Sequence, residues 1–188
     1  MSRWKPDARG RLEQAAYELF RDRGYEQTTV AEIADHAGLT ERTFFRHFAD
    51  KREVLFGGTA IVQDAMLRAL EDSSSTLPSI EAVRNAICAT ARIMRGRREL
   101  ARERARVIAV HADLQERELI KRKLLTTSLA RGLQGRGVSE GAANLAAEVG
   151  IAVFYVSFGR WLAEPGEREF EELVHEGFEE LKVVSSGR

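Results

Sequence analysis

The side chains best suited to chemistry lie in one short segment, TTVAEIADHAGLTERTFFRHFADK, which covers residues 28–51. Within it, Arg42 and Thr43 are adjacent. A guanidinium fork can donate two hydrogen bonds to a guanine edge, and a threonine methyl can contact a thymine methyl. Thr29 offers a hydroxyl at the start of a helix, which suits a phosphate. Three further basic side chains suit backbone phosphates: Arg46, His47 and Lys51. Together these groups indicate a surface that reads double-stranded DNA.

Other kinds of chemistry find little support in the chain. The motifs GxSxG, GxGxxG, HExxH and the P-loop are absent, so no catalytic nucleophile or phosphate cradle is indicated. Cys88 is the one cysteine, and no CxxC or Cys/His spacing suggests zinc. We therefore expect no enzyme activity, no metal and no cofactor. With 29 basic and 29 acidic residues, net charge does not indicate a nucleic-acid partner either, so the DNA hypothesis depends on arrangement.

A helix-turn-helix would present these groups. Apolar residues between 12 and 20 recur at helical spacing, which predicts a first helix from Asp7, its N-cap, to Arg23. A short second helix follows a cap at Thr28 or Thr29 and stops at Ala37-Gly38. Thr40 then caps a third short helix, and two short helices joined by a glycine-containing turn are typical of this motif.

The spacing alone leaves an alternative open, since a helical corner with solvated basic side chains has the same pattern. In the DNA-binding interpretation, the third helix enters the major groove with its first turn at the base edges. Phe44 and Phe48 lie four residues apart, which favours the core over DNA contact.

A longer stretch of sequence favours the DNA-binding interpretation over a solvated helical corner. The stretch GYEQTTVAEIADHAGLTERTFFRHFADKREVL, residues 24–55, resembles the DNA-binding signature of TetR-family transcriptional regulators in order and spacing. The resemblance implies an all-α protein with a three-helix DNA-binding head and a helical body that dimerises and usually holds a ligand cavity. It also implies a DNA-facing set: Thr29, Arg42, Thr43, Phe45, Arg46, His47 and Lys51.

Phe45 departs from the family pattern. Many members have a tyrosine there that reaches a phosphate, and a phenyl ring has no hydroxyl to donate. We expect its contact with DNA to be apolar or lost.

The remaining two thirds of the chain also predict helices. We expect a fourth from Lys51 to Glu71, a fifth to Met94, a sixth over 95–110 and a seventh over 113–133. The eighth, 139–163, is apolar all round near Val149–Phe158, which indicates burial on several sides. With a ninth helix over 167–184, it predicts a four-helix interface in a homodimer, as in the family. A wholly internal eighth helix is the alternative.

The body also suggests a ligand. Its arginines between 95 and 106 fit a solvated helix, an anionic ligand or a second DNA contact. Their setting and the sequence RWL at 160–162 resemble a TetR-family branch whose bodies accept acyl-CoA-like ligands. The residues predicted to line a cavity are Ile87, Met94, Ile108, Leu125, Phe154, Tyr155, Phe158 and Trp161. Plain core packing is the alternative for this set.

These patterns predict an all-α protein with a DNA-binding domain over 1–52 and a six-helix ligand-binding and dimerisation domain over 53–188. We expect a cytoplasmic homodimer that represses transcription at a pseudo-palindromic operator and responds to a small molecule that resembles acyl-CoA. The alternative functions are an activator or an interaction protein without an effector. No apolar run has the length of a membrane span.

Overall fold

The computed structural model describes residues 8–166 and 168–187, and within these ranges every regular element is a helix. The predicted cap at Asp7 and the predicted helix start at Glu167 lie outside the described residues. The elements are α1 (Ala8–Arg23), α2 (Val30–His36), α3 (Glu41–His47), α4 (Lys51–Phe56), α5 (Thr59–Asp72), α6 (Ser79–Ile93), α7 (Arg98–Ala109), α8 (Ala112–Gly135), α9 (Glu140–Ala163) and α10 (Phe170–Ser186). The predicted all-α class is confirmed.

The helices group into two compact units. Of the described residues, the first contains 8–58 together with 99–118, and the second contains 59–98 together with 119–166 and 168–187. Most of α7 and the first turns of α8 therefore pack with the N-terminal helices. The proposed functional division after residue 52 cuts the chain earlier than this grouping does.

The first unit is built around the apolar stripe of α1. Leu12, Ala16 and Phe20 of this stripe are buried, as the spacing predicts. Ile108 and Leu114 complete the same core from the later segment. The Arg104 side chain donates to the carbonyl of Leu55 over 2.6 Å, which adds a polar tie between this segment and α4.

The predicted long fourth helix is wrong, because the chain breaks at Gly57-Gly58 into α4 and α5. Adjacent glycines weaken a helix, since each loses more backbone freedom than other residues. A Cβ on Gly57 would lie 2.6 Å from Nη2 of Arg9, which itself donates to the Gly57 carbonyl over 2.8 Å. The break therefore lets α1 approach the backbone closely.

A glycine also shifts the start of the sixth predicted helix. Gly96 has a φ of 72°, a left-handed conformation that ends α6 in a turn, so α7 begins at Arg98 rather than at residue 95.

In the second unit, α6, α9 and α10 pack closely against one another. A Cβ on Gly150 of α9 would lie 2.2 Å from Cγ1 of Val83 on α6. A Cβ on Gly177 of α10 would lie 2.8 Å from Oγ of Ser157, which donates to the Leu173 carbonyl over 3.0 Å. Glycines at both crossings bring the helix backbones together.

The α9 helix is buried on one side and exposed on the other. Among the described residues it is the helix with the length and composition of a membrane span, with a mean hydropathy of 1.4 over its most apolar stretch, 44% of which is buried. Core helices of soluble proteins share these properties. The inner residues Ile151, Phe154 and Trp161 pack in the core, whereas Ala152 and Val156 are exposed.

We expect Gly150→Ala to lower the free energy of unfolding by about 1–3 kcal/mol, because the new methyl overlaps Val83 and the helices must separate. Chemical denaturation followed by circular dichroism measures the change. Gly141→Ala, on the same helix with no atom within 4 Å of the new Cβ, is the control and should be neutral or stabilising. Equal effects of the two substitutions would contradict the tight crossing.

Candidate DNA interface

The α2–α3 corner is a helix-turn-helix whose ends are all capped. Thr29 and Glu32 form a reciprocal capping box at the start of α2. The hydrogen bond from the Thr29 backbone N–H, with that from its hydroxyl, lowers the pKa of Glu32. At the end of α2, Gly38 has a φ of 62°, and the Leu39 N–H donates to the Ala34 carbonyl over 2.8 Å. These contacts set the sharp turn between the helices.

The start of α3 is capped by Thr40, whose Oγ1 accepts from the Thr43 N–H over 3.2 Å. Phe44, fully buried, and Phe48, 3% exposed, pack against each other with ring centroids 5.4 Å apart. The prediction that these two rings belong to the core is confirmed. Side chains on the opposite side of α3 consequently face outward.

Three polar contacts hold the corner against α1. The Arg11 guanidinium donates to the Ala37 carbonyl at the end of α2. Glu18 pairs with His36 at 2.8 Å, and Arg23 pairs with Glu32 at 3.1 Å. Exposed pairs of this kind contribute little free energy each, but all three link α2 or the residue that follows it to α1.

The outer face of α3 presents Arg42, Phe45 and Arg46, all exposed. Neither arginine has a hydrogen bond or ion pair in the part of the chain that the structure describes, and Phe45 exposes 55% of its surface. An outward face with two unneutralised guanidinium groups attracts a polyanion.

Thr43 and His47 lie on the same helix but are only half-exposed. The Thr43 hydroxyl is 3.1 Å from that of Thr40, so its methyl is the part left for a base. The Nε2 atom of His47 is buried without a hydrogen-bond partner among the described residues. This ring nitrogen of His47 is therefore unsatisfied but shielded from solvent.

Thr29 is exposed, but its polar groups are already engaged. Its backbone N–H donates to Glu32 over 2.8 Å, and its hydroxyl is 2.9 Å from the same carboxylate. A phosphate at Thr29 would have to displace these bonds and approach a negative charge. The contacts favour a role in folding α2 over the predicted phosphate contact.

Lys51 is also engaged within the protein. Its Nζ donates to the carbonyls of Tyr25 over 2.6 Å and Thr28 over 2.9 Å, and lies 4.2 Å from the centre of the Tyr25 ring. Burial raises the pKa of Tyr25 to about 12, so the ring stays neutral and offers its face to the cation. An ammonium has three donors. At most one remains for the predicted phosphate contact.

Arg11 and Tyr25 position the interface and were missed by sequence reasoning. Each acts across more than ten residues: Arg11 through a backbone carbonyl, Tyr25 through its carbonyl and ring. Contacts of a side chain with distant backbone leave no periodic signal in a sequence. The glycine-aromatic pair at Gly24-Tyr25 was the available clue for Tyr25.

The eight residues predicted to line a ligand cavity are divided between the two units. Ile108 packs in the core of the first unit, and the other seven belong to the second. There, Phe154, Phe158 and Trp161 pack around Phe170 as an aromatic cluster with centroid separations of 5.2–5.9 Å. An open groove along α10 is lined by none of the eight; its lining residues are His175, Glu176, Glu179, Glu180, Lys182, Val183 and Val184.

The capped corner and the unneutralised outer face of α3 define a helix-turn-helix DNA-binding protein. The profile described as "Bacterial regulatory proteins, tetR family" matches residues 13–56, and the profile "MftR C-terminal domain" matches residues 77–185. The chain belongs to the TetR family of transcriptional regulators, and it is a DNA-binding regulator rather than an enzyme.

Individual proteins agree with this assignment. The chain is 48% identical over 63 residues to the HTH-type transcriptional regulator TcmR of Streptomyces glaucescens, a match that covers 34% of this chain and 28% of TcmR. It shares its fold with a putative TetR-family regulator from Syntrophomonas wolfei (TM-score 0.69, 16% identity, 95% of both chains). The TetR-family repressor FadR of Thermus thermophilus, solved with lauroyl-CoA, is also similar (TM-score 0.56, 23% identity, 95% and 94% of the chains).

We expect Lys51→Met to lower both the free energy of unfolding, by about 1–3 kcal/mol, and the affinity for DNA. The methionine keeps an apolar stem but leaves two carbonyls without their donor. The salt dependence of DNA binding should keep its slope, because no phosphate contact is removed. Fluorescence anisotropy at several salt concentrations and thermal unfolding measure these quantities.

Arg46→Met is the matched control, since Arg46 has no partner among the described residues. It should make the slope of log binding constant against log salt concentration less steep by about 1, the value of one phosphate contact, and leave the free energy of unfolding unchanged. If Lys51→Met instead reduces the slope and leaves stability unchanged, Lys51 contacts a phosphate and does not position the loop.

Proposed function

We propose that this regulator is a homodimeric repressor that binds a pseudo-palindromic operator in the cytoplasm and releases it when a small molecule binds. The observation that carries the proposal is the outer face of α3, where Arg42 and Arg46 are exposed without an acidic partner among the described residues. DNA recognition is assigned to residues 1–52, and dimerisation and ligand binding to residues 53–188.

In this proposal, Arg42 reads sequence. It lies in the first turn of α3, which is the part of a recognition helix that reaches base edges. A free guanidinium can donate two parallel hydrogen bonds to a guanine. The next residue, Thr43, would offer its methyl to a thymine, and Arg46 and His47, about one turn later, would contact phosphates.

The exposed side of α9 supports dimerisation. Its outward positions recur every three or four residues and are mostly small or apolar: Gly141, Leu145, Glu148, Ala152, Val156, Gly159 and Ala163. Leu145 is 67% exposed and Val156 55% exposed. An apolar stripe along a 24-residue helix, about 36 Å long, fits a second copy of the same helix across a two-fold axis.

The similar fold of the FadR repressor solved with lauroyl-CoA favours an acyl-CoA-like effector held in the second unit. An acyl chain would need space among apolar side chains, and the aromatic cluster around Phe170 is the part of the core nearest in character to such a site. An effector releases DNA only if it binds the non-binding conformation more tightly.

We expect Arg42→Ala to weaken binding to the selected operator by about 1–3 kcal/mol while leaving binding to unrelated DNA nearly unchanged, because a base contact is lost. The operator is obtained by selection from random DNA, and anisotropy measures both affinities. Arg21→Ala is the control, since Arg21 is paired with Asp22 on the surface of α1. An equal loss on both DNAs would place Arg42 on phosphate.

In the same assay, lauroyl-CoA should release the operator from the unmodified protein. No release by acyl-CoA of any chain length would remove the acyl-CoA proposal and leave DNA recognition intact.

We expect Val156→Glu to shift the protein from dimer to monomer, because a carboxylate in the centre of the α9 stripe would be desolvated opposite its own copy. Sedimentation velocity measures the change. Val110→Glu is the matched control, because Val110 is 75% exposed and lies outside the stripe. A stable monomer for the unmodified chain would contradict the interface itself.

A further inference from the structure

Three side chains of the types that can ligate metals lie close together between α6 and α10 in the second unit. They are Cys88 on α6 and Glu171 and His175 on α10, and their ligand atoms all lie within 4.8 Å of one another. Glu171 and His175 are one helical turn apart, so both face α6. Neither DNA recognition nor the α9 stripe uses this cluster.

We propose that Cys88, Glu171 and His175 bind a borderline-soft divalent cation, of which Zn²⁺ is the representative. Thiolate, imidazole and carboxylate are the ligands that zinc takes in proteins. A water molecule would complete four-coordination. The proposal revises the expectation of no metal and does not rest on the proposed DNA role.

The separation of sulfur and nitrogen already fits coordination. Zinc binds sulfur at about 2.3 Å and nitrogen at about 2.0 Å, so a tetrahedral angle places the two ligand atoms about 3.5 Å apart. The distance from Cys88 Sγ to His175 Nε2 is 3.6 Å. A weak hydrogen bond between thiol and imidazole has a similar length, so the spectroscopic test below must distinguish the two.

Glu171 needs only a small movement. Its Oε1 is 4.0 Å from His175 Nε2, and tetrahedral coordination requires about 3.4 Å. Arg92 donates from Nε to the same oxygen over 2.8 Å, and Arg95 lies 3.7 Å from the other. An ionised carboxylate has about four lone-pair positions, so it can hold Arg92 and a cation together. The arginine would then orient the ligand from the outer shell.

The cation can reach the cluster from solvent. The His175 side chain is 52% exposed and lines the open groove along α10, whereas Cys88 is 2% exposed behind it. Burial raises the pKa of the Cys88 thiol to about 11, so the ion must displace the thiol proton to solvent as the metal–sulfur bond forms. Bound there, the ion would join α6 to α10.

Cobalt(II) titration of the full chain tests the proposal, because Co²⁺ occupies zinc sites and reports its ligands. We expect one equivalent to produce a thiolate-to-cobalt charge-transfer band in the near ultraviolet and tetrahedral bands in the visible, and Zn²⁺ to abolish both. The unmodified protein is sufficient for this measurement. Absence of the charge-transfer band at saturating Co²⁺ would overturn the proposal.

Substitutions then assign the ligands. Cys88→Ser should abolish the charge-transfer band, and His175→Gln should weaken Zn²⁺ binding at least tenfold in competition with a chromophoric chelator. His36→Gln is the matched control. His36 also pairs with a glutamate, Glu18, but no cysteine is grouped with this pair among the described residues. Circular dichroism confirms that each variant is folded. If His36→Gln reduces affinity as much as His175→Gln, the ion binds elsewhere and the assignment is wrong.

Discussion

The half-buried ammonium group of Lys51 is the polar contact on which the position of the helix-turn-helix depends. It joins the start of α4 to the loop that precedes α2, through two backbone carbonyls and the face of Tyr25. Such partners stabilise a half-buried cation, because withdrawing a charge from water without them costs free energy. The same loop is fixed by Thr28, whose hydroxyl donates to the Gly24 carbonyl over 2.8 Å. The N-terminus of α2 is thus held before any DNA is present.

The parts of this structure that follow from short-range chemistry could be predicted from the sequence. Periodicity predicts the buried stripe of α1 and the rings of Phe44 and Phe48, and cap residues predict the ends of α2 and α3. The predictions that failed concern features set by contacts between residues distant in sequence. The helical pattern of the sequence continues through Gly57-Gly58, but the helix breaks there, and α1 packs closely against the backbone at Gly57. Ile108 looks like any apolar helix residue, and its place with the first unit follows from tertiary packing. The predicted DNA-facing residues remain predictions, although the contacts of Thr29 and Lys51 now favour structural roles.

The small residues of α9 explain why its sequence looked apolar on every side. On the inner side, Gly150 lets Val83 of α6 approach closely, and the Ser157 hydroxyl donates a hydrogen bond to the Leu173 carbonyl of α10. On the outer side, glycine and alanine alternate with Leu145 and Val156, which are exposed. Glu148 on this face pairs with Lys123 of α8 at 3.1 Å. Burial on one side and association on the other select similar residue types, so composition alone could not separate the two faces.

The exposed ring of Phe45 has a thermodynamic consequence. A tyrosine hydroxyl would exchange its hydrogen bond with water for one with a phosphate, whereas a phenyl ring can only release the water that hydrates it. Any surface that covers this ring gains a contribution that is insensitive to ionic strength and carries a negative change in heat capacity. The binding affinity of α3 for its target should therefore depend on temperature more than contacts of its arginines alone would make it.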